Sequence, residues 1–338
     1  MISNSGGTRH TGDVFDGSIS GNETKIKDLP GQAKKSIELN DILFSEIRPK
    51  NKRFALVTGI DPKNYVVSTK LMVLRNKNNL VLDTNYLYFY LTSPLMLAYF
   101  QSEAESRSGT FPQITFRENV ANIKIDLPPL IEQRKIVQRL SVVNDKVKLN
   151  NQINDNLEKL NKNFFRHIFG DQKPINKASD IANIKIGKTP PRKQNQWFSF
   201  KDGYKWLSIK DMKGEGAFAF YAEEHLTEKA IQNFNIQVVP QYTVMVSFKL
   251  TIGRVKISIE DMVTNEAIAQ FKNSTLPYEF LYTYLDNFPF ETLGSTSSIA
   301  KAINSKILKS MPILIPKAEL LNRYMIFAKP IFSADCKK

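Results

Sequence analysis

Between Pro129 and Gly170 run 40 residues without a glycine or a proline, LIEQRKIVQRLSVVNDKVKLNNQINDNLEKLNKNFFRHIF. Such a run is hard to fold as anything but one helix. Pro128 and Pro129 stop what precedes and suit a first helical turn, and Gly170 suits the end. Ile136, Leu140, Val143 and Val147 alternate gaps of four and three, the spacing of a coiled-coil seam rather than of a broad core-facing stripe. The phase slips through Asn150 and Asn151 and resumes at Ile153, Leu157, Leu160 and Phe164. The prediction is a rod roughly 60 Å long whose narrow seam is covered by another helix, from this chain or another. Asn150 and Asn154 lie near the slip, where buried Asn can fix register and partner. His167 falls in the last turn, where it favours the helix dipole.

With 338 residues, two domains are expected. A hydrophobic share of 42% supports packed cores and excludes a disordered tail. The net charge is +14 and the pI about 9.5. That charge is spread along the chain, which favours a nucleic acid over an anionic membrane surface as partner. The single cysteine, Cys336, cannot form an internal disulfide, and no apolar run approaches a membrane span. A polar N-terminus lacks a signal-peptide core. A cytoplasmic protein is the expectation.

Along the chain, residues 1–40 show little periodicity and read as loop or as the edge of a domain, with regular structure from Asp41. Residues 42–47 and 65–75 read as strands. Residues 84–105 read as helix interrupted at Pro94, and residues 121–127 as a strand leading into the rod. In the second half, strands are expected at 204–209, 242–248 and 254–259 and a helix at 277–285. The halves repeat one another. YLYFYL (86–91) matches FLYTYL (280–285), GTFPQI (109–114) takes the place of STSSIAKAI (295–303), and NIKIDLPPLIEQRKI (122–136) matches SMPILIPKAELLNRYM (310–325). The offset, near 190 residues, is far too long for a solenoid repeat. The chain therefore reads as α+β: two similar α/β domains joined by a long coiled-coil-forming helix. The expected boundaries are 1–126, 127–170, 171–315 and 316–338.

These residues resemble a known family. An IGKTP entry, a KLTIGRV strand and turn, a NEAIA strand, an FLYTYL helix, a GSTSSI loop and LPPLIEQRKI opening a long helix follow in the order seen in specificity subunits of type I restriction–modification enzymes. The resemblance covers nearly the whole chain after Asp41, and PPLIEQRKIVQRL with NNQINDNLEKL is its most specific part. It implies two target-recognition domains, each reading half of a split site on double-stranded DNA, held apart by the conserved helices. It also implies methylation subunits docked on those helices, restriction subunits joining the assembly, and no active site in the chain itself. S-adenosylmethionine, Mg and ATP would belong to the partner subunits. Two departures stand out. The first half offers no counterpart of residues 184–206, and the second helix has about 20 residues after Pro316 where the first has about 40. Lys317 and Leu321 also replace Pro129 and Gln133. A chain shortened at both ends is expected, with self-association through the rod as one way to complete the pairing.

GKT at 187–189 is not a phosphate loop, because Ala182 stands where the pattern needs glycine and Pro190 and Pro191 follow. As DNA contacts, Lys188, Thr189, Arg192, Lys193 and Gln194 suit phosphates and base edges; the bland reading is a solvated loop. Lys249, Thr251 and Arg254 flank Gly253, where the backbone can approach a phosphate. Ser295, Thr296, Ser297 and Lys301 form a hydroxyl-rich loop that either contacts DNA or caps a helix. The first-half equivalents are Arg48, Lys50, Lys52 and Arg53, then Arg107, Ser108 and Thr110. Tyr86, Tyr88, Tyr90, Tyr282 and Tyr284 read as core. His10, His167 and His225 are far apart and no cysteine cluster exists, so no metal site and no catalytic set are expected. The rival reading is a scaffold that uses the rod and has no DNA affinity; a stand-alone nuclease would instead cleave DNA with a metal.

Overall fold

A computed structural model describes residues 5–9, 13–20, 23–25, 33–214, 216–293 and 303–335. The chain divides into two compact units, Met1–Lys148 and Leu149–Lys338.

The first unit is built on the antiparallel sheet Phe54–Leu56, Ile42–Ser45, Leu71–Leu74. Helices α1 (Thr84–Leu91) and α2 (Pro94–Arg107) cover one face. Asp83 caps α1, accepting from Asn85 and Tyr86 N–H at 2.9 and 3.1 Å. Ser93 and Pro94 then end one helix and start the next, since proline has no N–H to continue the ladder. Ile42, Phe44, Met72, Leu91, Phe100 and Ile114 form the core between sheet and helices. A second sheet is ordered Glu23–Lys25, Ser5–Arg9, Tyr65–Ser68, Ala33–Ser36, and all of it but Tyr65–Ser68 lies in the region expected to be loop. Those three strands have three to five residues and few apolar ones, so neither length nor alternation announces them. The single strand expected at 65–75 is in fact two, in different sheets, separated by a turn at Thr69 and Lys70.

Helix α3, Leu130–Phe169, is continuous, beginning in the first unit and ending in the second. Its start is fixed by Gln133, which is fully buried. The Gln133 amide donates to the Val81 and Pro128 carbonyls, both at 2.9 Å, and accepts from Asp83 N–H at 2.8 Å. All polar atoms of this buried side chain thus find partners, as burial requires.

In the second unit, α4 (Ala178–Ile181) and α5 (Glu228–Asn233) are short. A five-stranded sheet is ordered Asn183–Ile186, Ile268–Lys272, Val244–Ser247, Val255–Ser258, Phe218–Ala219. Helices α6 (Tyr278–Asp286), α7 (Ser305–Ser310) and α8 (Ala318–Asp335) complete it. The strands Val244–Ser247, Val255–Ser258 and Ile268–Lys272, followed by α6, reproduce Ile42–Ser45, Phe54–Leu56 and Leu71–Leu74, followed by α1, in order and direction. The parallel pairing of Ser5–Arg9 with Tyr65–Ser68 likewise reproduces that of Tyr204–Leu207 with Val263–Thr264. The first half therefore does hold a counterpart of residues 204–206. Among the described residues it lacks counterparts of Asn183–Ile186 and of Phe218–Ala219, the two outer strands of the five-stranded sheet, and of Phe198–Ser199.

Asn161, Phe165 and Phe169 of α3 are buried against α6 and α8. The Asn161 amide donates to Thr283 Oγ1 at 2.9 Å, and the Tyr324 hydroxyl lies 3.0 Å from Asn161 Oδ1 and 2.8 Å from Thr283 Oγ1. The covered face is thus one position round from the expected Phe164, which is only half-buried. Leu157 is half-buried too, while Ile136, Leu140, Val143, Val147, Ile153 and Leu160 are exposed. Helix α8 has 18 residues against 40 in α3 and carries Pro330 inside.

The strand expected at 121–127 is absent. The corresponding Pro312–Ile313 pairs with Asn176–Lys177, and no strand plays that part for 121–127 among the described residues. A strand needs a neighbour to satisfy its backbone, so the sequence pattern alone did not suffice. Tyr88, Tyr282 and Tyr284 are buried and Tyr86 and Tyr90 half-buried, the core role expected of them.

Candidate nucleic-acid interface

Each unit presents a basic loop between the first two of its three repeated strands. In the first it runs from Glu46 to Arg53, in the second from Phe248 to Arg254. The two have one backbone plan. Ser45 and Ser247 are buried, and their N–H groups donate to the carbonyls of Arg53 and Arg254 at 2.8 and 2.9 Å. Their hydroxyls turn into the loops, donating to the Ile47 carbonyl at 3.2 Å and the Thr251 carbonyl at 2.6 Å. Three residues beyond each serine the chain is left-handed, at Arg48 (φ 47°) and Leu250 (φ 60°). It is so again one residue before the closing arginine, at Lys52 (φ 53°) and Gly253 (φ 87°). Left-handed backbone costs a non-glycine residue about 1–2 kcal/mol, so three such residues at matching places mark loops held in shape by their surroundings.

The result is exposed cations on a fixed frame. Arg48, Lys50 and Lys52 are exposed in the first loop, Lys249 and Thr251 in the second. Arg48 N–H donates to the Pro112 carbonyl at 3.0 Å and its guanidinium to the Thr110 carbonyl at 3.3 Å. The structure thereby brings Arg48, Lys50 and Lys52 together with the loop that carries Ser108 and Thr110. Lys50 lies 3.7 Å from Glu105 and Lys52 3.3 Å from Asp16, exposed pairs that exchange readily for a stronger anion. Arg53 and Arg254 are half-buried. The Arg254 guanidinium donates to the Ile209 carbonyl at 2.7 Å, so it braces its loop.

Other candidates are committed elsewhere. Arg107 is paired with Glu118 and Thr189 with Glu266, and the Ser108 hydroxyl accepts from Phe111 N–H at 3.0 Å. Lys188 donates to the Phe234 and Asn235 carbonyls, both at 3.0 Å. The Gln194 carbonyl accepts from the Trp197 indole at 2.6 Å. Arg192 stacks 4.3 Å from Trp206 and 4.7 Å from Phe198 while donating to Glu224 at 2.7 Å. Of the 188–194 cluster, Lys193 is left exposed and uncommitted by any of these contacts. Ser295, Thr296, Ser297 and Lys301 lie outside the described residues. We predict that Arg192→Ala lowers unfolding stability by about 1 kcal/mol, the worth of a half-exposed cation–π contact, without altering the salt dependence of any DNA binding. Denaturant titration and anisotropy read the two effects separately.

Ser45 and Ser247 were not singled out from sequence. The signal lay in the repeat: with one residue skipped in the first, SEIRPKNKRFAL (45–56) and SFKLTIGRVKIS (247–258) share only the opening serine, an arginine and the strand that follows. Among the described residues no group of His, Cys, Asp or Glu could hold a metal ion, and no helix is long and apolar enough to cross a membrane.

Comparison with known proteins agrees with the duplication. The family profile "Type I restriction modification DNA specificity domain" matches residues 4–159 and again 175–320. The HindI specificity subunit of Haemophilus influenzae is 29% identical over 411 residues, covering 96% of this chain and 86% of that one. The MjaIX specificity subunit of Methanocaldococcus jannaschii is 23% identical over 150 residues, 43% of this chain and 34% of that one. Among solved structures, the S subunit of a type I restriction-modification system from M. genitalium matches 98% of this chain and 84% of its own, with a TM-score of 0.51 at 12% identity, a likeness of fold. With its two matching halves, this chain belongs to the family of type I restriction–modification DNA specificity subunits.

Proposed function

We propose that the chain reads a bipartite sequence on double-stranded DNA, one half-site per unit, on behalf of methylation and restriction subunits. The observation that carries this reading is the repeated basic loop: a doubled frame suits a doubled target, and exposed Arg and Lys suit phosphates and the edges of guanine. Base readout falls to the loops at 46–53 and 248–254 and, in the first unit, to the adjoining Thr110. Methylation subunits dock on the exposed seam of α3, at Ile136, Leu140, Val143 and Val147, which nothing among the described residues covers. The chain supplies no chemistry of its own; S-adenosylmethionine, Mg and ATP are held by its partners in the cytoplasm.

Methylome sequencing of a host with and without the gene tests the reading. The expected result is the loss of a single split modified motif when the gene is removed. An unchanged methylome in a host that retains active methylation subunits would refute it.

A further inference from the structure

The two basic loops put different side chains at the same place on the same frame. Three residues beyond the buried serine, where the backbone is left-handed, the first loop has Arg48 and the second Leu250. Leu250 is 95% exposed. A lone exposed leucine is ordinary on a protein surface, but this one stands where the backbone itself disfavours it. The left-handed region suits glycine and is costly for a bulky residue, and a side chain left in water returns nothing by burial. The loop holds it there from both sides. The Gly253 N–H donates to the Ser247 carbonyl at 2.9 Å, the Ser247 hydroxyl to the Thr251 carbonyl at 2.6 Å, and the Arg254 N–H to the Ser247 hydroxyl at 3.0 Å. No interaction within the unit accounts for a leucine at this position.

Its surroundings say what it faces. Lys249 and Thr251, the residues on either side, are exposed, and the Lys249 ammonium stays within 5.6 Å of the Phe248 ring centroid at the root of the loop. A polyanion drawn to these cations meets Leu250 first. Arg48 has an anchor of its own, one guanidinium bond to the Thr110 carbonyl at 3.3 Å, and keeps further donors to offer. An arginine at this place reads a guanine edge in the major groove by paired hydrogen bonds. A leucine has no hydrogen bond to give. The apolar feature that base edges offer in that groove is the 5-methyl group of thymine. The other use of such a side chain is a wedge that unstacks two base pairs. A guanidinium fork at the matching position suits edges rather than stacks, which favours the methyl group.

We propose that Leu250 is a specificity-determining residue of the second unit, packing on the 5-methyl group of a thymine at the place where Arg48, in the first unit, takes a guanine. The assignment rests on the half-site reading given above and deepens it: one frame, used twice, reads different bases because a single position on it differs in chemistry.

Methylome sequencing of hosts with active methylation subunits, carrying the parent, Leu250→Arg or Leu250→Gly, reads the role directly. The parent is expected to modify a split motif with a required A·T pair in one half. Leu250→Arg repeats in the second loop what Arg48 does in the first, and is expected to turn that pair into G·C while the other half stays the same. Leu250→Gly suits the left-handed backbone. It is expected to relax that one position to any base, with the urea midpoint of the chain at or near the parent's. The chain purified with its methylation subunits is then titrated with a duplex carrying the parent motif. Replacing the one thymine by uracil, which lacks only the methyl group, should weaken binding about fourfold, the worth of one buried methyl group. The same replacement should leave the affinity of Leu250→Gly unchanged. A motif that both variants leave as it was overturns the assignment and spares the half-site reading. So does equal affinity of the parent for the thymine and uracil duplexes. Loss of methylation at every site by a folded Leu250→Gly would make the side chain a wedge or general support and overturn it too. A parent that modifies no motif would refute the half-site reading, and this assignment with it.

Discussion

Replacing Tyr324 with alanine is expected to lower the unfolding free energy of the second unit by about 3–5 kcal/mol, the range for emptying a large aromatic site in a packed core. Tyr324 is 0% exposed. Its ring meets Phe164, Phe165, Phe169 and Phe280 with centroids 5.4–6.4 Å apart, so it is the piece through which α8 holds the last turns of α3 and α6. Tyr324→Phe separates packing from polarity. It keeps the ring and takes away the hydroxyl between Asn161 and Thr283, at a cost of about 1–3 kcal/mol for the buried partners left short. Burial also pushes the hydroxyls of Tyr324 and Tyr284 up to about 12. A phenol whose folded pKa is raised lends stability that is complete below its unfolded value, about 10. That stability is lost as the pH climbs through 10 toward 12. Alkaline unfolding of the second unit in that window should shift upward in Tyr324→Phe relative to what its lowered neutral-pH stability alone dictates. Urea titration at neutral and alkaline pH checks both. A Tyr324→Ala chain as stable as the parent would mean that α8 does not pack on α3 as described.

How much of this was legible in the sequence depended on the range of the forces involved. Helix α3 could be read because 40 residues without a breaker are a local property. The face it buries could not, because the choice of Asn161 and Phe165 over Phe164 is made by Thr283 and Tyr324, more than a hundred residues away. The strands at 42–45 and 244–247 announced themselves as apolar runs, whereas Ser5–Arg9 and Glu23–Lys25 exist through pairing with partners distant in the sequence. The candidate site divides in the same way. Residue type marked Lys188, Thr189, Arg107 and Arg192 as anion binders as surely as Lys50 and Lys249. What engages the first four is a carboxylate or carbonyl brought in by the fold, although Lys188, Arg192 and Arg107 stay exposed: Glu266 for Thr189, Glu224 for Arg192, Glu118 for Arg107, Phe234 and Asn235 for Lys188. Conversely, left-handed backbone at Arg48 and Leu250 leaves no mark in the residue types, since neither favours it.

Those two loops carry the other large effect. Changing Lys50 and Lys249 together to glutamate is expected to weaken binding to duplex DNA about a hundredfold at moderate salt. It should also reduce the slope of log affinity against log salt by about 2, close to one for each phosphate contact given up. Lys50 and Lys249 are the residues to change because both are exposed and neither has left-handed backbone, so the loop frames set by Ser45 and Ser247 stay intact. Lys229→Glu on α5, equally exposed, serves as the matched change of charge. It alters the long-range field of the chain by the same amount per residue without touching either loop. If the field alone attracts DNA, three such substitutions anywhere on the surface are equivalent, and the slopes change together. If the loops hold phosphates, the change at 50 and 249 lowers the slope and the change at 229 does not. Each single variant then loses about tenfold, because each loop has its own half-site, and the losses multiply. Anisotropy across a salt series distinguishes these outcomes. Equal slopes for the loop variant and the parent would mean that the DNA lies on some other face of the two units.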